Sequence, residues 1–287
     1  MSRARFVLAG LVQLLVGAGA VQASMVLFHF VLHPALVSAL AFDVSAASAT
    51  RRLGVFAAVM GSYWVFVRWY ERRPVRELRV EWRWILGGAF AGSLSIAAPL
   101  ALLYASGHYQ VTSVRGLGGV GDVLFVILVA AVIEEVTFRG LLFRILEERM
   151  GTRVALAVSA VVFSVAHYAN DGFTATTLIA VVLTGLMWSG VYVVSRSLWV
   201  AAAHHCCWNA TIFLTGLPLS GQEEWRRQAP LVSEYLGSEF WSGGAFGPEN
   251  SVLSIALSVL ICLALWRLAR AMDSTFPRPA QTAPVIA

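Results

Sequence analysis

Long apolar runs alternate with short polar connections along this chain. Eight runs approach the roughly 20 residues that an α-helix needs to cross a bilayer, and the fifth is the shortest. The pattern predicts an all-α, polytopic membrane helical bundle of about eight transmembrane helices, forming a single integral-membrane domain over residues 1–287. The predicted spans are residues 6–32, 53–69, 84–104, 122–146, 154–167, 174–194, 198–214 and 251–270.

The composition supports a membrane protein. Hydrophobic residues make up 58% of the chain and charged residues only 13%, where a soluble domain has about a quarter. All 21 basic residues are arginine, and together with the abundant alanine and glycine this suggests a GC-rich bacterial genome. We therefore expect a multi-pass protein of the bacterial inner membrane. The three cysteines lie in apolar segments and predict no disulfide framework.

The arginines predict the topology. They cluster near residue 4, in residues 68–83 and 144–153, at Arg196 and after residue 266. In an eight-span chain these are the two terminal segments and every second connection, which all lie on one side of the membrane. The positive-inside rule then places both termini in the cytoplasm and explains the net charge of +5 without a nucleic-acid partner. The connection 68–84 is predicted to be a solvated linker or an interfacial helix. Residues 277–287 are predicted to be a disordered tail.

The longest outward connection, residues 215–250, is rich in glutamate and aromatic residues. Aromatic side chains are common at membrane–water interfaces. We predict an outward-facing loop whose aromatic residues lie on the membrane surface, namely Trp225, Tyr235, Phe240 and Trp241.

The fourth span contains ionisable residues at membrane depth. Glu134, Glu135 and Arg139 interrupt an otherwise apolar run. A charged side chain at the bilayer centre costs about 2.5 to 3.5 kcal/mol on insertion scales, so such residues indicate function. At 3.6 residues per turn, Glu135 and Arg139 share one helix face and neutralise each other, whereas Glu134 points about 140° away from Arg139. Glu134 is therefore the carboxylate available for chemistry.

Two later spans carry further polar residues. His167 ends the fifth span, and His205 and Asn209 project from one face of the seventh because they are four positions apart. A carboxylate and a neutral imidazole can polarise a water as general base. A second imidazole and a carboxamide can donate hydrogen bonds to the oxyanion of a tetrahedral intermediate. The combination indicates hydrolysis inside the membrane.

Three stretches in this order, EEVTFR, FSVAH and SLWVAAAHHCCWN, resemble the three motifs of the CAAX prenyl endopeptidase and bacteriocin-processing family, also called the Abi family. The resemblance covers residues 122–213, which we take as the catalytic motif region. It implies that Glu134 and His167 activate water, that His205 and Asn209 form the oxyanion hole, and that Glu135 with Arg139 support the site. His204 beside His205 leaves the position of this histidine open by one residue.

The resemblance implies an intramembrane endopeptidase whose partners are the lipid bilayer and a protein or peptide substrate. Its myxosortase branch is thought to trim C-terminal sorting tails, so a sorting signal, a lipidated tail and a leader peptide are all candidate substrates. The family's hydrolytic reaction needs no cofactor in this interpretation.

Two alternative functions stay open from the sequence. Glu134, Glu135, His167 and His205, with Cys206, are side chains that can ligate zinc, which would make the protein a metalloprotease. However, there is no HExxH or CxxC spacing, and Asn209 has no role as a zinc ligand. The other alternative is a membrane transporter or chaperone that uses Glu134 and His167 without hydrolysis. The repeated halves typical of many transporters are missing from the sequence.

Overall fold

Eight long helices dominate the structure, a computed structural model that describes residues 3–275. The predicted disordered tail, residues 277–287, lies outside the described residues. In chain order the helices are α1 (Arg3–Leu27, continued by a π-helical turn at Phe28–Leu32 and by His33–Leu40), α2 (Val44–Val65, continued by a π-helical turn at Phe66–Tyr70), α3 (Trp82–Ala105), α4 (Val120–Glu135, continued by the π-helical segment Val136–Phe143 and by Arg144–Met150), α5 (Thr152–Ala166), α6 (Ala175–Ser195), α7 (Leu198–Leu214) and α8 (Val252–Ala271).

The eight predicted spans correspond to these eight helices. Four helical stretches are long and apolar enough to cross a membrane, namely Phe6–Leu40, Trp82–Ala105, Ala175–Ser195 and Val252–Ala271. Helices α5 and α7, with 15 and 17 residues, are shorter than a full span, and α4 contains the charged residues of its motif. Several membrane-crossing helices in one chain make it a multi-pass membrane protein.

The prediction of an all-α fold is wrong in one respect, because two short strands form a sheet. Strand β1 (Tyr109–Val114) pairs antiparallel with β2 (Leu231–Tyr235), with a register shift between Val111 and Ser113. Both sequences contain the β-branched and aromatic residues that favour strands. The sheet joins the α3–α4 connection to residues 215–250, the connection between α7 and α8.

Helix α2 begins nine residues earlier than predicted. The Asp43 side chain accepts a hydrogen bond from the backbone N–H of Ala46 at 2.7 Å and so caps the helix at Val44. Arg52 consequently lies inside the helix, where it forms an ion pair with Asp122 at 2.6 Å. Helix α1 is also longer than predicted and continues to Leu40.

Glycines bring α3 and α7 into close contact. A Cβ atom on Gly92 would lie 2.1 Å from the carbonyl oxygen of His204, and one on Gly88 would lie 2.9 Å from that of Val200. Small residues at an interface let two membrane helices approach to backbone contact. This packing fixes the position of α7, the helix that carries His205 and Asn209.

The connection 68–84 was predicted to be solvated, but part of it is buried. Glu77 is 4% exposed and accepts hydrogen bonds from Arg73 at 2.6 Å and from the Tyr63 hydroxyl at 2.6 Å. Arg144, at the end of α4, forms an ion pair with Glu71 at 2.6 Å. The linker therefore ties the arginine-rich ends of α2 and α4 together through buried ion pairs.

The 215–250 segment is a folded part of the protein. Besides β2 it contains short helical turns at Glu223–Arg226, Glu239–Ser242 and Pro248–Asn250. Phe240 and Trp241 are exposed, as expected for residues at the membrane surface. Trp225 and Tyr235 are instead half-buried, which corrects the prediction for these two residues because they pack on the helical core.

Candidate active site

The two adjacent glutamates lie where α4 changes from α-helical to π-helical geometry. Glu135 is the last residue before the π-helical segment Val136–Phe143, which contains Arg139. The Glu135 and Arg139 side chains still meet at 2.9 Å and both are fully buried. Single π-helical turns inside α-helices are frequent at functional sites. The predicted neutralising pair is therefore formed, within a helix of altered twist.

Arg139 is held on all sides. Besides Glu135, it donates to the carbonyl oxygen of Gly185 at 3.0 Å, and its guanidinium lies 4.8 Å from the centroid of the Phe163 ring. A Cβ atom on Gly185 would approach Ala160 to 3.2 Å, so a glycine here keeps α5 and α6 close together. The guanidinium is thus surrounded by a carboxylate, a carbonyl and an aromatic face, as a buried charge requires.

His205 lies between the two glutamates. Its Nδ1 is 2.9 Å from Glu135 Oε1, and its Nε2 is 3.9 Å from Glu134 Oε2. The imidazole stacks on Trp188 with the ring centroids 3.7 Å apart. Because the Glu135 carboxylate accepts a hydrogen bond, Nδ1 carries the proton, and Nε2 is directed toward Glu134.

His204 occupies a different environment from His205. Its Nδ1 accepts a hydrogen bond from Trp188 Nε1 at 3.2 Å, and its backbone packs on Gly92 of α3. It is absent from the lining of the cavity described below, whereas His205 is part of it. Of the two candidate histidines, the geometry brings His205 to the other predicted site residues.

His167 follows the last residue of α5. Its Nδ1 lies 2.8 Å from the carbonyl oxygen of Phe163, which can only accept a proton. Nδ1 is therefore the protonated nitrogen, and Nε2 carries the lone pair. Phe163 also packs against the ring, with centroids 4.6 Å apart. The imidazole is held in the tautomer that a general base needs.

One cavity of about 70 Å³ brings the predicted residues together, with room for a few water molecules. Glu134, whose side chain is 30% exposed, contributes an Oε2 atom that is buried without a hydrogen-bond partner among residues 3–275. Asn209 Oδ1 is buried and unpartnered in the same described part of the chain. The cavity is lined by Ala130, Glu134, Phe163, His167, Asn170, Val181, Thr184, Trp188, His205, Asn209, Ser220, Gln222, Trp225 and Glu249.

The sequence interpretation missed the contribution of the 215–250 segment to this cavity. Ser220, Gln222, Trp225 and Glu249 line it, and Glu249 is only 6% exposed. Glu249 follows a Gly-Pro pair in a connection with no recognisable motif. Its burial depends on how the segment folds back over α7, so no local pattern could identify it.

The donor set does not match a zinc site. Within residues 3–275, no three histidine, cysteine, aspartate or glutamate side chains are grouped so that they could hold a metal ion. Glu135 Oε1 is already occupied by Arg139 and His205. Its other oxygen, Oε2, is buried without a hydrogen-bond partner among residues 3–275.

Comparison with known proteins finds a family similarity for the region that supplies most of the cavity lining. Residues 116–211 match the model of the family described as Rce1-like, Type II CAAX prenyl endopeptidase. No curated protein and no solved structure matches the chain. The matched region contains Glu134, Glu135, Arg139, His167, His205 and Asn209. Residues 116–211 of the chain are thus similar to the Rce1-like CAAX prenyl endopeptidase family, whose members are intramembrane endopeptidases.

Proposed function

We propose that the protein is a glutamic-type endopeptidase of the bacterial inner membrane that hydrolyses a peptide bond in or near the bilayer. The observation that carries the proposal is the single cavity lined by Glu134, His167, His205 and Asn209. These residues come from two helices, α4 and α7, and from the turn after α5, and they combine basic groups with hydrogen-bond donors. A packed helical bundle has no need for this combination at one place.

The reaction begins with a water held in the cavity between Glu134 and His167. One of these two groups accepts a proton as the water oxygen attacks the carbonyl carbon, and a tetrahedral intermediate with a negatively charged oxygen forms. The C–N bond then breaks, and the proton passes to the leaving amine. His167 Nε2, with its lone pair, and the unpartnered carboxylate oxygen of Glu134 are suited to this proton transfer.

His205 and Asn209 donate hydrogen bonds to the developing oxyanion. The Asn209 carboxamide supplies its N–H groups. His205 already donates from Nδ1 to Glu135, so donation from Nε2 requires the doubly protonated imidazolium. The carboxylates of Glu134 and Glu135 on either side of the ring balance that positive charge. Removing one oxyanion donor typically raises the barrier by about 3 to 4 kcal/mol.

Glu135 and Arg139 support the site without taking part in proton transfer. Both are fully buried, and Glu135 connects Arg139 to His205 through one oxygen. This connection orients the His205 ring, as second-layer carboxylates do for histidines in many active sites.

The substrate is proposed to be an exported or lipid-modified protein that is cut near its C-terminus or its leader. The 215–250 segment bounds the cavity. This segment follows the C-terminal end of α7, whereas Arg196 precedes the N-terminal end of the same helix. If the arginine-rich end faces the cytoplasm, the cavity lies toward the exported side of the membrane. This placement favours a sorting tail over a tail that remains in the cytoplasm.

The test compares exported and lipid-modified proteins from three strains, which carry the wild-type gene, a deletion, or the Glu134→Gln variant. Mass-spectrometric mapping of protein termini measures the cleavage. We expect at least one protein to keep an uncut terminal segment in both the deletion and the Glu134→Gln strain. Identical termini in all three strains would contradict the proposal.

A further inference from the structure

The 215–250 segment contributes one buried carboxylate to the catalytic cavity, that of Glu249. This residue lies 38 positions after the end of the region matched by the family model. The mechanism above uses no residue of the segment. A buried glutamate at a catalytic cavity needs a physical reason, because burying a carboxylate is costly.

One Glu249 oxygen fixes the segment to the turn that carries His167. Glu249 Oε2 accepts hydrogen bonds from the backbone N–H and the hydroxyl of Ser220, both at 2.8 Å. The Ser220 carbonyl oxygen in turn accepts from the Asn170 side chain at 2.9 Å. The backbone N–H of Asn170 donates to the carbonyl oxygen of His167 at 3.0 Å. An unbroken chain of hydrogen bonds thus runs from Glu249 to His167.

The other Glu249 oxygen faces α7. Trp208 Nε1 lies 3.4 Å from Glu249 Oε1, and the Trp208 ring packs edge-on against Trp188. Trp188 is the ring on which His205 stacks. Glu249 therefore contacts groups that reach both predicted catalytic histidines, one through Ser220 and one through the tryptophans.

The backbone just before Glu249 packs closely against the backbone just before Ser220. Gly247 has a φ of +119°, and a Cβ atom there would lie 2.2 Å from the carbonyl oxygen of Pro218. The turn Pro248–Asn250 consequently packs against the segment that carries Ser220. This contact places the Glu249 carboxylate next to Ser220.

We propose that Glu249 is a positioning residue of the active site, which holds the His167 turn against α7 through its hydrogen bonds to Ser220. The proposal rests on the proposed peptidase function for its kinetic consequence. Its structural consequence, an ordered turn at residues 167–173, is independent of that function.

Glutamine is an informative substitute at this position. Burial raises the pKa of the Glu249 carboxyl, although the hydrogen bonds from Ser220 oppose this effect. A glutamine side chain is neutral, and its carbonyl oxygen can accept the same two hydrogen bonds from Ser220, so that only the long 3.4 Å bond from Trp208 is lost. Alanine removes the acceptor and leaves the Ser220 N–H unsatisfied.

The experiment uses the full chain in detergent micelles and compares wild type, Glu249→Ala, Glu249→Gln, Ser220→Ala and the control Glu234→Ala. Glu234 is an exposed glutamate on β2 of the same segment. Hydrogen–deuterium exchange is measured at residues 163–174, and kcat and KM are measured on a substrate identified as above.

We expect faster exchange at residues 167–173 and a kcat about ten- to a hundredfold lower in Glu249→Ala, with KM nearly unchanged. Ser220→Ala should show a smaller effect of the same kind, and Glu249→Gln and Glu234→Ala should resemble wild type. Exchange in Glu249→Ala equal to wild type, or a Glu249→Gln variant as impaired as Glu249→Ala, would overturn the proposal. If wild type itself cleaves nothing while exchange changes as expected, the proposed function fails and the positioning role stands.

Discussion

His205 and Glu135 are 70 positions apart in sequence and meet at 2.9 Å between Nδ1 and Oε1. The same Glu135 oxygen accepts from Arg139 at 2.9 Å. One carboxylate thus neutralises a buried guanidinium and orients a ring that faces the cavity. Under the proposed mechanism, Glu135 orients the site and the neighbouring Glu134, whose Oε2 has no hydrogen-bond partner among residues 3–275, takes part in the reaction.

The first prediction separates the two adjacent histidines. His205→Ala should lower kcat by about two to three orders of magnitude, because it removes a donor to the oxyanion. His204→Ala should be impaired much less, since its ring lies outside the cavity and accepts a hydrogen bond from Trp188. Initial rates on one substrate, corrected for the amount of folded protein, measure both effects. Equal losses in the two variants would show that the site residue is misassigned.

The second prediction concerns the buried ion pair. Removing one partner of a buried pair typically costs about 3 to 5 kcal/mol, because it leaves an uncompensated charge. Arg139→Ala and Glu135→Gln should therefore lower both the melting temperature in detergent and the amount of protein in the membrane. Glu148→Gln on the same helix is the control, because this glutamate is about half exposed and its partner Arg144 keeps a second ion pair with Glu71. Variants of Glu135 and Arg139 that melt like wild type would refute the supporting role.

The third prediction tests the close packing of α3 on α7. Gly92→Ala places a methyl group 2.1 Å from the His204 carbonyl oxygen, so α7 must move. Overpacking of this kind costs about 1 to 3 kcal/mol, and the shift should reduce kcat because His205 and Asn209 move with the helix. Gly87→Ala is the matched control, since no atom lies within 4 Å of a Cβ atom there. Full activity of Gly92→Ala would contradict the claim that close packing of α3 on α7 positions His205 and Asn209 for activity.

The fourth prediction is a pH dependence at the arginine-rich end. Burial alone would raise the pKa of the Glu77 carboxyl, but hydrogen bonds from Arg73 and Tyr63 outweigh it and the pKa is lowered. A lowered folded-state pKa contributes stability that is present above the unfolded-state value and is lost as the pH falls through the folded-state value. The wild-type melting temperature should therefore drop as the pH is lowered below about 4.5.

Glu77→Gln should show a smaller drop over the same acid range, because the titrating group is gone. Glu81→Gln, on the same linker and about half exposed, should behave like wild type. Melting curves recorded between neutral and acid pH provide the comparison. A Glu77→Gln curve that falls as steeply as wild type would assign the acid sensitivity to other groups.

The sequence predicted the helices and the motif residues because both follow from short-range rules. Hydrophobic run length located eight helices, and the cost of charge in a membrane singled out Glu134, Glu135 and Arg139. The i and i+4 relationship of Glu135 and Arg139 persisted even though the helix becomes π-helical between them.

The features that the sequence did not reveal depend on contacts between distant segments. The β1–β2 sheet pairs residues more than 115 positions apart, and the link from Glu135 to His205 crosses the interface between α4 and α7. Glu249 belongs to a connection without periodicity, where glycines with positive φ determine the path. The burial of Glu77 was missed because a sequence rich in arginine and glutamate is typical of a solvated linker. Its burial depends on partners in other segments, such as Tyr63 on α2, which the linker sequence does not contain.

The most direct test of the account measures cleavage of one identified substrate by purified wild type and Glu134→Gln in the same detergent, with and without a strong metal chelator. We expect wild type to keep its rate in the chelator and Glu134→Gln to lose about three orders of magnitude or more, while both proteins melt at similar temperatures. Cleavage by Glu134→Gln at the wild-type rate would contradict the central role of this carboxylate. Complete loss of wild-type activity in the chelator, restored by zinc, would contradict the metal-free mechanism.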